Sequence, residues 1–151
     1  HFDADRYFWL PAAEPFTQER DQAECLRLLR RDLAGADRWV LSGSVTGWGE
    51  VFAPLFDLAV FVYVPPALRI ERLKKREAER YGARILPGGE RRGTYLDFIS
   101  WAAAYEDGTR GGRSLAKHET WIQTLTCPVL RVENIRLEES VAAVLRTAQE
   151  N

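Results

Sequence analysis

Two acids stand one residue apart in "HFDADRYFW", the first nine residues of the chain. In an extended strand, residues i and i+2 face the same side, so Asp3 and Asp5 point together. In open parallel sheets, ligands bind beyond the carboxyl ends of the strands. Two carboxylates placed there can hold a hydrated Mg2+ and accept a proton from a substrate hydroxyl. The alternative is a solvated loop in which Asp5 caps a turn of helix. Motifs this short recur by chance, and spacing alone leaves both readings open.

A second candidate is "SGSVTGWGE", residues 42–50, which follows a short apolar run. Its small residues could cradle phosphate, but it is not a P-loop. That device needs Lys followed by Ser or Thr at the start of a helix. Here Glu50 follows Gly49, and an acid repels phosphate. The small residues Ser42, Gly43 and Ser44 more simply let a substrate approach the backbone, and an ordinary strand-to-helix turn explains them equally well.

A third is a series of arginines. Arg69, Arg72, Arg76 and Arg80 recur at three- and four-residue spacing and share one helix face. Arg84, Arg91, Arg92, Arg110 and Arg113 follow in or near glycine-rich loops. A charged face is ordinarily just solvated. Yet Arg72, Arg76 and Arg80 are like charges at i, i+4, which an anion would relieve, and the guanidinium fork suits phosphate. Arginines on a glycine-flanked flap can clamp a transferring phosphoryl group and exclude water. His118 reads as a surface or capping histidine rather than a base. The tryptophans and Tyr105 read as core rather than as a base-stacking platform.

These residues need elements to carry them. The chain has 151 residues, 46% hydrophobic and 28% charged, which predicts one domain with a real core. Its net charge of −1 argues against a large nucleic-acid footprint, and no run is long enough to span a membrane. Cys25 and Cys127 lack metal-ligand spacing and are expected to be buried and reduced. The protein is expected to be cytoplasmic. Apolar runs predict strands at "HFD", "WVLSG", "AVFVYV" and "PVLRV", with amphipathic helices between them. "AVFVYV" is apolar throughout, as in a parallel strand covered on both faces. The expected fold is α/β, a parallel sheet with helices on both faces.

Taken in order, "HFDADRYFWLP", "WVLSGSVTGWG", "DLAVFVYVPPALRIERLKKRE", a basic glycine-rich flap, "RSLAKHETW" and "CPVLRVEN" resemble the small-molecule and nucleotide kinase branch of the P-loop NTPases. Bacterial proteins labelled AAA-family ATPase or adenylate-kinase-like are the most similar group. The resemblance covers nearly the whole chain. It implies a three-layer sandwich lacking its first strand and P-loop, with a lid-like insertion at about 77–113. It also implies an ATP- and Mg2+-dependent transfer to a small-molecule acceptor.

By analogy with shikimate- and uridine-kinase relatives, Asp5 would be the base or acceptor-orienting group and Asp3 the acid on the Mg2+ side. Ser42, Gly43 and Ser44 would help form the acceptor site. Arg72, Arg76 and Arg80 would contact phosphates, Arg72 and Arg76 as charge stabilisers and Arg80 toward the substrate, and Asn134 would lie near the adenine. The family begins with a strand, a Gly-rich P-loop and its helix, none of which this chain contains. The resemblance therefore implies that "HFDAD" matches the family's second strand, and that in its usual order, 2-3-1-4-5, the central first strand would lie upstream. A nucleotide-binding regulatory module without catalysis is the alternative, and a stand-alone α/β binding domain with no nucleotide is a third reading.

Overall fold

The computed structural model describes residues 1–150. The chain divides into two compact units, His1–Leu55 and Phe56–Asn151.

In the first unit, β1 (Phe2–Asp3) runs directly into a short helix, α1 (Ala4–Phe8). A loop then leads to α2 (Gln22–Ala34) and β2 (Leu41–Ser42). The start of α2 has a physical cause: the Asp21 carboxylate accepts the Glu24 N–H at 3.2 Å and caps the first turn. α2 buries Cys25, Leu29 and Leu33, the i, i+4 stripe that faces the core. β1 and β2 pair in parallel, Phe2 opposite Leu41 and Asp3 opposite Ser42. Two helices connect them, as a parallel crossover requires. The strand predicted over "WVLSG" shrinks to two residues, because β1 supplies only two residues to pair with. After β2 the chain turns into a 3-10 helix, Glu50–Leu55, whose Phe52 is fully buried.

Tyr7 anchors α1 to α2. Its hydroxyl donates to Asp32 at 3.0 Å, and burial, reinforced by that carboxylate, pushes its ionisation up to about 12. It stays a neutral donor at any physiological pH. The Cys25 thiol is buried, donates to the Tyr7 carbonyl at 3.2 Å, and has its pKa raised by burial. Both cysteines are free, Cys25 buried and Cys127 half-buried.

In the second unit, β3 (Ala59–Tyr63) and β4 (Val129–Glu133) pair in parallel over five residues, from Ala59–Val129 to Tyr63–Glu133. Three helices lie between them in sequence: α3 (Pro66–Tyr81), α4 (Arg92–Ala103) and α5 (Leu115–Ile122). α6 (Leu137–Glu150) follows β4 and packs against it. Pro66 opens α3, where its missing N–H costs nothing. Ser114 caps α5 by accepting the Lys117 N–H at 3.3 Å. The expected parallel α/β character holds in both units. The strands form two separate two-stranded sheets among the described residues. β3 is less covered than its all-apolar sequence predicts: Val62 is 51% exposed and no residue of the strand is buried. A two-stranded sheet leaves each strand one unpaired edge and little area for helices to cover.

No described helix is long and apolar enough to cross a membrane.

Candidate functional site

In the first unit the parallel pair ends with Asp3 beside Ser42. Asp3 is both the last residue of β1 and the cap of α1, its carboxylate accepting the Asp5 N–H at 3.0 Å. The capping device foreseen for Asp5 is therefore performed by Asp3. One side-chain oxygen of Asp3 is committed to that bond, and the carboxylate keeps further acceptor capacity.

The turn after β2 comes up against the same helix. Gly43 adopts φ +94°, and a Cβ there would lie 2.9 Å from the Ala4 Cβ. Only glycine suits both the left-handed backbone and the close approach. Ser42 Oγ lies 2.9 Å from His1 Nε2, and Ser44 Oγ accepts the Thr46 N–H at 3.3 Å. The Gly47 N–H, which a phosphate-cradling loop would offer to a ligand, is taken by the Glu50 carboxylate at 3.1 Å. Thus Asp3, Ser42 and Gly43 meet at the carboxyl ends of two parallel strands, with Asp5 and Ser44 next to them in the chain, the place where open α/β sheets bind ligands.

An open cleft of about 480 Å3 adjoins the acids, lined by Asp3, Asp5, Arg6, Trp9, Pro15 and Phe16 among others. Its outer wall is the loop that follows α1. The neck of that loop is closed by backbone bonds from Leu10 N–H to the Gln18 carbonyl and from Arg20 N–H to the Phe8 carbonyl, both 2.8 Å. The Arg20 guanidinium adds a bond to the Tyr7 carbonyl at 2.9 Å. Phe16 sits in the loop at φ +62° with its ring edge-on to Trp9, centroids 6.2 Å apart. Trp48 is buried, as expected of the tryptophans, whereas Trp9 lines this open cleft with Phe16. A backbone angle leaves no mark on residue type, and Pro15 before it was the nearest signal.

The remaining expected residues lie in the second unit. Arg72 and Asn134 are brought together: the guanidinium donates to the Asn134 carbonyl at 2.9 Å and to the Ile135 carbonyl at 2.8 Å. Arg72 thereby fastens α3 to the turn after β4. Arg76 pairs with Glu77 at 3.3 Å and lies over the Phe98 ring. Arg80 lies over the Tyr81 ring, 5.9 Å from its centroid. The stretch 77–113 contains the end of α3, a 3-10 turn (Gly82–Ile85), α4 and a glycine-rich loop. Arg91 stacks on Tyr81 at 4.2 Å, Arg92 donates to the Ile85 carbonyl at 3.1 Å, and Arg84 pairs with Glu90. The loop is tied by Trp101 Nε1 to the Gly111 carbonyl and by Lys117 Nζ to the Gly112 carbonyl.

The second unit also holds a polar network that the sequence did not announce. Arg69 grips Glu106 with two bonds, 2.8 and 2.6 Å, and Tyr63 donates to the same carboxylate. The Arg69 guanidinium, bonded to this partner, holds the Glu106 carboxyl below the usual range. Arg69 lies over the Tyr105 ring, whose hydroxyl meets His118 Nδ1 at 2.8 Å. Burial, with Arg113 nearby, lowers the His118 pKa.

Among the described residues no three His, Cys, Asp or Glu side chains form a cluster able to hold a metal ion by themselves.

No protein-family model matches the chain, and no solved structure matches it. It is 42% identical over 134 residues to "Uncharacterized protein YqaC" of Bacillus subtilis (strain 168), a match covering 89% of this chain and 74% of that relative. Likeness at that level over most of both chains shows common descent, and the protein belongs to the same family as YqaC.

Proposed function

We propose that this chain carries the acceptor side of an ATP- and Mg2+-dependent phosphotransferase of the P-loop kinase type, acting on a small metabolite. The observation that carries the reading is the meeting of Asp3 with the Ser42–Gly43 turn at the carboxyl ends of β1 and β2, with Asp3 and Asp5 lining an open cleft. Asp5 is the group that receives or orients the acceptor's hydroxyl proton. Asp3, fixed by its bond to the Asp5 N–H, is the acid that would face Mg2+.

The ATP phosphates find no matching cradle in this site. The Gly47 N–H is occupied by Glu50; in the second unit, Arg72 is itself bonded to two backbone carbonyls. The reading predicts that these 151 residues alone bind ATP·Mg2+ weakly or not at all, which titration calorimetry reads directly.

The function is tested by phosphoryl transfer in the natural protein, with ATP, Mg2+ and a panel of nucleosides, sugars and nucleoside monophosphates. If Asp5 handles the proton, Asp5→Asn cuts turnover by roughly 10²–10⁴-fold while ATP affinity holds. Asp3→Asn loses rate that high Mg2+ partly restores. No transfer to any acceptor by the wild type would sink the kinase reading. Normal turnover in Asp5→Asn would remove Asp5 from the chemistry.

A further inference from the structure

The cleft beside Asp3 and Asp5 has two chemically distinct walls. One is acidic, with the two carboxylates outnumbering the guanidinium of Arg6. The other is apolar, formed by Trp9, Phe16 and Pro15, with the Phe16 and Trp9 rings edge-on at 79°. Aromatic faces of this kind hold rings by stacking, and carboxylates accept bonds from hydroxyls.

The loop that carries the apolar wall is held by its own bonds. It is closed at the neck by the Leu10–Gln18 and Arg20–Phe8 backbone bonds. Pro11 and Pro15 restrict its backbone further. Phe16 is the one non-glycine residue at positive φ among the described residues. A bulky residue in that conformation is a genuine outlier, and such residues persist where the surroundings hold them, commonly at ligand clamps. Here the strained backbone sets the ring edge-on to Trp9. A wall held by its loop's own bonds loses little entropy when a ligand enters.

We propose that this cleft binds an unphosphorylated, hydroxyl-bearing ring compound, a nucleoside or a free sugar. Its ring lies against the Phe16 face, and its hydroxyls donate to Asp3 and Asp5. Phosphorylated forms of the same compounds are disfavoured, because a second anion would face two carboxylates against one guanidinium. Phe16 is the residue that selects for the ring. The inference deepens the phosphotransferase reading and rests on it for the ligand's role as acceptor. Binding itself requires no ATP, so a failure of transfer and a failure of binding are read in separate experiments.

The test is saturation-transfer NMR on the 151-residue protein without nucleotide triphosphate. The probes are adenosine, uridine, cytidine, ribose and glucose, each beside its monophosphate. At least one unphosphorylated compound is expected to saturate, with its monophosphate about tenfold weaker, a difference of the size one charge contact makes. Saturation by a nucleoside but not by ribose assigns the stacked ring to the base; saturation by a free sugar assigns it to the sugar. Phe16→Gly is the decisive variant, since glycine accepts φ +62° more readily than phenylalanine and the loop keeps its path. It should keep the wild-type circular dichroism and melting temperature and weaken binding by about tenfold, the loss of one stacking face. Three outcomes overturn the proposal: no compound saturates, a monophosphate binds tighter than its parent, or Phe16→Gly binds as the wild type does.

Discussion

Single residues carry two sharp consequences. Gly43 joins the turn after β2 to the start of α1, and nothing larger fits. Gly43→Ala must place a methyl 2.9 Å from the Ala4 Cβ at φ +94°. A loss of about 1–3 kcal/mol is expected in urea unfolding, from strain and overpacking together. The second concerns His118. Its folded pKa lies below the ordinary histidine value, because burial disfavours the imidazolium and Arg113 adds to that effect. Between the two values the unfolded chain binds more protons, so stability rises with pH. The contribution is complete above about 6.5 and is lost as pH falls from there through the folded value. In His118→Gln, whose amide oxygen can still accept from Tyr105, this near-neutral limb of the melting-temperature profile should vanish. A limb of unchanged size would place the titration elsewhere.

Among elements, the Arg69–Glu106 pair matters most, because it ties α3 to the segment that follows α4. The two side chains are only 17% and 28% exposed, so water screens them poorly. Arg69 also donates to the Ala102 and Val64 carbonyls, joining the end of α4 and the end of β3 to the same guanidinium. Glu106→Gln keeps the shape and removes the charge, and a loss of about 2 kcal/mol is expected, the range for a hydrogen bond to a charged group. The pH window is separate from that of His118. The folded carboxyl titrates below its ordinary value of 4.5, so its contribution is present above that value and lost as pH falls through the folded one. Thermal melts of wild type and Glu106→Gln should converge in acid and diverge above it. Parallel curves across the whole range would show that the charge adds nothing.

For the molecule as a whole, the sheets leave edges. Ala59 N–H donates to the Pro128 carbonyl and the Tyr63 carbonyl accepts from Asn134, so Ala59, Phe61 and Tyr63 face β4. The peptide groups of Val60 and Val62 turn to the opposite edge, where no described strand pairs with β3. An exposed apolar edge is a template for pairing with another chain. Sedimentation velocity should therefore show self-association that grows with concentration. Val62→Lys, which places a charge on a residue already 51% exposed, should suppress it without lowering the melting temperature. Equal association in the variant would show that the edge is not the cause.

Element types were legible because their causes are local. Asp21 before α2, Pro66 at the head of α3, Ser114 before α5 and the all-apolar run of β3 each act within a few residues. The same-side placement expected for Asp3 and Asp5 does not hold as strand alternation, because β1 ends at Asp3 and Asp5 lies in α1, joined to Asp3 through its backbone N–H; the small residues at 42–44 were legible as room for a close approach. Three things were decided only when distant segments met. Asp3 came to lie beside Ser42 through strand register, which depends on residues some forty positions apart. Arg72 turned to the carbonyls of Asn134 and Ile135, although its spacing along α3 suggested a phosphate contact. Phe16 became a wall of the cleft through a positive φ held by the closed loop around it. Side-chain type and spacing determine which helices and strands form. Which partner a charge finds, and which strained angle survives, is set by the surfaces that the tertiary fold brings within hydrogen-bonding and contact distance.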